Sequence, residues 1–186
     1  MGFLDDVLDN VGEPFKGGKG FEYGTHEVVI GTVEAKQKDT KATKDCAMIE
    51  VGVFDEANPE KIASCTLWFH TDGAAKMSVA KILGLLVHKV GEEKKDKVRE
   101  LGKQLFGSID DNIKARDVAA KLMKEKLVNE KAYLVAEPRG KYITTSYGDL
   151  WHYPAEPQGE KPTATEKVAK ATGGEVVDDA DIPEDL

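Results

Sequence analysis

Residues 23–90 constrain this chain more than any other stretch. They hold three strand-like segments followed by one amphipathic helical segment. The first, 25–35, is rich in β-branched residues and partly alternates, which predicts Val29, Val33 and Ala35 on one face and His26, Thr32 and Glu34 on the other. A polar tip at 36–45 carries Lys36, Lys38, Lys41 and Lys44. The second strand, 47–55, places Ile49, Val51 and Val53 opposite Met48, Glu50 and Phe54. Asn58-Pro59 marks a turn. The third strand, 62–70, sends Ala63, Cys65, Leu67 and Phe69 inward and Ser64, Thr66, Trp68 and His70 outward.

That outward row is informative, because large aromatics on a wetted face often mark a binding surface. A three-strand meander ending in a helix, with two strands still to come, is the layout of a five-stranded OB barrel, a fold that binds oligonucleotides on its strand 2–3 face. The helix is read from Val79, Ile82, Leu83, Leu86, Val87 and Val90 at helical spacing. A weaker helical pattern runs over 94–106 through Val98, Leu101 and Leu105, ending at Gly107. Ser108-Ile109-Asp110-Asp111 resembles a capping box that opens a helix over 109–127, with Ala115, Val118, Ala119, Leu122 and Met123 inward. Residues 91–127 therefore form a helical insertion. The last two strands are expected as a hairpin, 131–138 with 142–147, closed by Arg139-Gly140, with Leu134, Val135, Ile143, Thr145 and Tyr147 suited to a barrel's last two strands. Residues 149–153 extend the second of these strands or end it on an aromatic cluster.

The flanks read differently. Phe3, Leu4, Val7, Leu8 and Val11 share one helical face, so 1–22 is expected to be a short amphipathic helix and a glycine-rich hinge. The helix either packs on the barrel or docks a partner. Residues 154–186 are polar and rich in Pro and Gly, a composition that predicts a disordered linker and acidic tail. The core domain is thus 23–153.

Bulk composition removes several classes. No apolar run approaches the ~20 residues of a membrane span. Met1 to Val11 lacks the basic and apolar regions of a secretory signal, so a cytoplasmic location is expected. Cys46 and Cys65 have no CxxC spacing, which argues against a zinc site or a disulfide framework. The net charge is −8, but residues 154–186 carry −6 of it (three Lys, nine acids), leaving −2 for the other 153 residues. Local basic patches decide whether phosphate can dock. Lys36–Lys44 is one, and Lys131, Arg139 and Lys141 form another. No HExxH, P-loop or GxSxG pattern is present. A binding protein without cofactor or metal is the expectation; His70 and Asp72 are the residues on which a metal-dependent nuclease would rest.

Two resemblances sharpen this. THEVVIGTVEAKQ, AMIEVGVFD, CTLWFHT and SVAKILGLL together resemble a family of phage-encoded single-stranded-DNA-binding proteins with an OB fold, over roughly residues 20–90. Asp178, Asp179, Asp181, Ile182 and Pro183 are similar to the acidic Asp-Ile-Pro tip of bacterial single-stranded-DNA-binding proteins, which recruits replication and repair enzymes. That tip ends in Phe directly after Pro, whereas Glu184, Asp185 and Leu186 follow here. The resemblances imply sequence-independent binding of single-stranded DNA in phage replication, recombination or repair, with the tail recruiting partner proteins. Trp68 and Phe54 are expected to stack on bases, with Tyr142, Trp151 and Tyr153 as further platforms. Lys36, Lys38, Lys41, Lys44, Lys131, Arg139 and Lys141 would meet phosphates. One rival is that these rings complete a second core beneath the insertion; another is that the barrel is an adaptor that binds a replisome or recombinase protein and touches no DNA. DNA against RNA preference and oligomeric state are open.

Overall fold

A computed structural model describes residues 20–39, 46–137 and 144–158. The N-terminal helix, Lys41 and Lys44, the Arg139-Gly140 turn with Lys141 and Tyr142, and the acidic tail lie outside the described residues.

The first three long strands form an antiparallel meander: β2 (Gly24–Lys38), β3 (Cys46–Phe54) and β4 (Ile62–Trp68). A short β1 (Phe21–Glu22) precedes them. Three helices follow, α1 (Asp72–Val90), α2 (Lys95–Phe106) and α3 (Asn112–Lys126), and then β5 (Lys131–Ala136), β6 (Thr144–Thr145) and β7 (Tyr147–Trp151). β5 pairs antiparallel with both β2 and β7, and β7 runs parallel to β4. The result is a closed five-stranded barrel in the order β2-β3-β4-β7-β5, with β1 and β6 as a separate two-stranded ribbon. The expected barrel and helical insertion are both present.

Strand faces follow the sequence pattern wherever the ladder is regular. Ala63, Cys65, Leu67 and Phe69 are buried, as are Ile49, Val51 and Val53. In β2 a single alternation does not run through. Ile30 pairs with Val53 and Thr32 with Gly52, so Gly31 is the extra residue of a β-bulge. The bulge resets the pleat: Val28 and Ile30 join the core before it and Val33 after it, while Ala35 is exposed. Val29, expected to share a face with Val33, instead sits in register with Phe54 and Lys131.

The helices start and stop where capping chemistry dictates. Thr71 Oγ1 accepts from the Ala74 N–H at 3.2 Å to open α1, whose Ala75, Ile82, Leu85 and Leu86 are buried. α3 begins three residues later than the Ser108 box predicts. Asp111 holds the extended backbone of an N-cap, and its carboxylate accepts from the Lys114 N–H at 2.7 Å. Ala119, Leu122 and Met123 are buried as expected, with Ala115 packed on the core. Arg116 is buried beside them; it donates to the Asp117 carboxylate and, at 3.2 Å, to the Lys36 carbonyl, which ties α3 to the end of β2. No described helix is long and apolar enough to cross a membrane.

The last strand corrects the sequence expectation. Residues 144–145 pair with β1, and 147–151 close the barrel, with Leu134 opposite Leu150 and Tyr133 opposite Trp151. Leu150 and Leu134 are both fully buried, which turns Gly148 inward and Tyr147 outward, leaving Tyr147 72% exposed. Gly148 is required here by close approach: a Cβ would strike the Leu134 side chain and lie 2.7 Å from the Val135 carbonyl oxygen. Gly148→Ala is therefore expected to cost roughly 1–3 kcal/mol by overpacking. A urea titration reads this directly, and a wild-type midpoint would contradict the packing described.

Candidate functional site

The outer face of β2, β3 and β4 can be read row by row from the strand register. Lys36, Met48 and Trp68 form one row, Glu34, Glu50 and Thr66 the next, then Thr32, Gly52 and Ser64, and finally Val29, Phe54 and Ile62, with Met48 and Val29 themselves buried. Six residues of β4 separate Trp68 from Ile62, so the face is ~20 Å long at ~3.3 Å per residue. Trp68 is 39% exposed at one end. Its backbone carbonyl accepts from Ser78 Oγ of α1 at 2.8 Å, and His70 lies edge-on to its ring at 5.6 Å. Phe54 is half-buried at the other end, against Gly31, where a Cβ would stand 3.2 Å from the ring. Neither ring is sealed beneath the helical insertion.

Two of the expected phosphate ligands already hold carboxylates. Lys36 Nζ lies 3.0 Å from Glu50 and 3.1 Å from Glu34. Those hydrogen bonds, Glu50 first, hold its ammonium above the usual lysine range. Lys131 Nζ lies 2.7 Å from Glu27 and 3.2 Å from Glu56, and its pKa is raised for the same reason, with Glu27 foremost. Lys38 is exposed and, among the described residues, has no ion-pair partner.

Trp151 and Tyr153 belong to a different neighbourhood. Their rings lie 5.3 Å apart, and Lys81 Nζ of α1 stands 4.1 Å from the Trp151 ring centre while pairing with Asp149 at 2.5 Å. Tyr133 pairs in register with Trp151 and meets His88 edge-on. α1 thus touches both tryptophans, through Ser78 and through Lys81. The structure does not bring Trp151 into the rows that hold Trp68 and Phe54.

Sequence patterning missed three residues beside those rows: Lys61, Ile62 and Tyr147. Ile62 is 55% exposed, and Tyr147 sits in register with Ser64. The only sequence signal for Tyr147 was Gly148 two places before Leu150, too weak to set the pleat.

Asp72 accepts from Asn112 at 3.2 Å. Among the described residues, no group of three or more His, Cys, Asp or Glu side chains is placed to hold a metal ion. Cys65 is buried, and burial, reinforced by Asp149 and opposed by Lys81, pushes its thiol up to about 12, so it stays protonated and unreactive. The chain matches no known protein-family model and no curated protein.

His152 has a stability consequence in the neutral to mildly acidic range. Its ring packs on α1 at Gly84, where a Cβ would collide with it, and its Nδ1 is buried without a hydrogen-bond partner. Burial, then repulsion from His88, lowers its pKa below the ordinary 6.5. Above that value the ring is neutral in both folded and unfolded chains and contributes no pH dependence. Below it the unfolded chain takes up a proton that the folded chain refuses, so stability falls as the pH drops toward the lower folded value. The loss in melting temperature between about pH 7.5 and about pH 5.5 is expected to be smaller in His152→Phe than in wild type. Equal losses would show that the histidine ring is not the source.

Proposed function

We propose that this chain binds single-stranded DNA without sequence preference on the outer face of β2–β4. The strand order and the helix between β4 and β5 suit an OB-like barrel, in which that face is the usual oligonucleotide surface. One observation carries the reading: the backbone of Trp68 is anchored to α1 by a hydrogen bond while the residue stays 39% exposed. An unpaired base stacked on such a ring contributes about 1–3 kcal/mol whatever its identity, because every base has a π face. In a duplex those faces are covered by neighbouring base pairs.

The rest of the face fits the same role. Thr66, Ser64 and Thr32 offer hydroxyls to base edges, and Lys38 offers a phosphate contact beside the Trp68 row. Lys36 can exchange a carboxylate for a phosphate without moving far. Glu34 and Glu50 repel a second phosphate backbone, which favours one strand over two. The protein would cover unpaired strands during phage replication, recombination or repair. The acidic segment around Asp178, Asp179, Asp181, Ile182, Pro183 and Leu186 is proposed as the contact for partner proteins.

A second reading draws on the ion pairs. Lys36 and Lys131 each sit between two carboxylates, so the described face offers little uncommitted positive charge. A protein partner would then be the ligand and the barrel an adaptor. Oligo-dT titrated into a Trp151→Phe background, where Trp68 is the only indole, separates the two. Quenching is expected, with affinity about five- to a hundredfold lower in Trp68→Ala. Unmoved fluorescence at low salt, with no mobility shift of the oligonucleotide, would hand the site to the adaptor.

A further inference from the structure

We infer that Lys61, Ile62 and Tyr147 form a second contact for the same strand, at the far end of the face from Trp68. The inference rests on the single-strand reading and adds residues that it does not need. Tyr147 is the most exposed of the large hydrophobic side chains among the described residues, at 72%, yet its backbone is firmly held. Its N–H donates to Thr145 Oγ1 at 3.0 Å, and the Ser146 carbonyl before it accepts from the Ser64 N–H at 2.7 Å. With the backbone fixed, only the side-chain torsions of the ring remain to be ordered when a base stacks on it. Ile62, in register with Phe54, extends the apolar floor beside it.

Lys61 supplies the charge. Its N–H donates to the Asn58 carbonyl at 2.9 Å and its carbonyl accepts from the Asp55 N–H at 3.0 Å, so the turn into β4 fixes its backbone. Its ammonium stands 5.1 Å from the centre of the Phe21 ring. Among the described residues it has no carboxylate partner, unlike Lys36 and Lys131. Phe21 pairs with Thr145, two residues before Tyr147, which brings this cation to the same end of the barrel as the phenol. A phosphate meeting Lys61 does not have to displace an ion pair first.

Two rows lie between Ile62 and Trp68. The Thr32, Gly52 and Ser64 row, which Tyr147 borders, carries only small side chains; the next, Glu34, Glu50 and Thr66, carries the two carboxylates that hold Lys36, so a strand crossing it also meets that lysine. From Ser64, beside Tyr147, to Trp68 is four residues of β4, ~13 Å. That distance is about four nucleotides at the ~3.4 Å stacked rise. A single strand laid along β4 can therefore rest one base on Trp68 and another on Tyr147.

The test uses the full chain and a fluorescein-labelled oligo-dT of about ten nucleotides, longer than the span between the rings. Binding is read by anisotropy at several salt concentrations. Tyr147→Ala is expected to weaken binding about fivefold or more while Tyr147→Phe retains it. Lys61→Gln is expected to lower the salt slope by about 0.7, and Lys36→Gln to lower it less. Melting temperatures of all variants serve as the folding control; Tyr147 is exposed and Lys61 and Lys36 are half-buried, and their substitutions are expected to shift them little. If either Tyr147→Ala or Lys61→Gln binds as wild type does while Trp68→Ala is weakened, the second contact is overturned and the single-strand reading stands. If the wild-type chain binds no oligonucleotide, both fall together.

Discussion

Closure between β4 and β7 is the constraint from which the outer face takes its form. The parallel seam is short, pairing Ser64 with Tyr147 and Cys65 with Gly148, and it works because Leu134 of β5 fills the space that a side chain at 148 would occupy. With that step set, Leu150 must face the core and Tyr147 must face solvent. A barrel without a free edge also removes the strand-pairing hazard of an open sheet. Its outer surface can then carry exposed rings without inviting edge-to-edge association.

The charge on that surface is arranged in pairs. Lys36 with Glu34 and Glu50, and Lys131 with Glu27 and Glu56, leave each lysine outnumbered by acids. Such exposed pairs are easily exchanged in water, since each partner is nearly as well solvated apart as together. On the proposed reading, stacking supplies most of the affinity and the carboxylates act as a filter against ligands of high phosphate density. This also reconciles a net charge of −8 with a polyanionic ligand: the lysines that matter are few, local and, among the described residues, outside any ion pair.

α1 links the face to the core. Its Ile82, Leu85 and Leu86 are buried, while Ser78 holds the end of β4 and Lys81 covers part of Trp151. The same helix buries His152 against Gly84. Trp68 and Trp151 consequently have different roles in the architecture although both flank this helix, one open to solvent and the other under a lysine.

Much was legible from residues alone. The strict alternation in Ile49, Val51 and Val53 and in Ala63, Cys65, Leu67 and Phe69 determined two strands and their inner faces, because a period of two has only one way to bury an apolar row. The helical spacing of Ile82 and Leu86 determined α1. Three things were decided only by the tertiary structure. The bulge at Gly31 depends on where β3 pairs, and a glycine carries no pattern of its own. The outward turn of Tyr147 depends on Leu134 packing over Gly148, a contact between residues 14 apart in sequence. The pairing of Lys36 and Lys131 with acids on neighbouring strands and turns is invisible in a linear charge count, since side chains distant along the chain become neighbours only when the barrel closes.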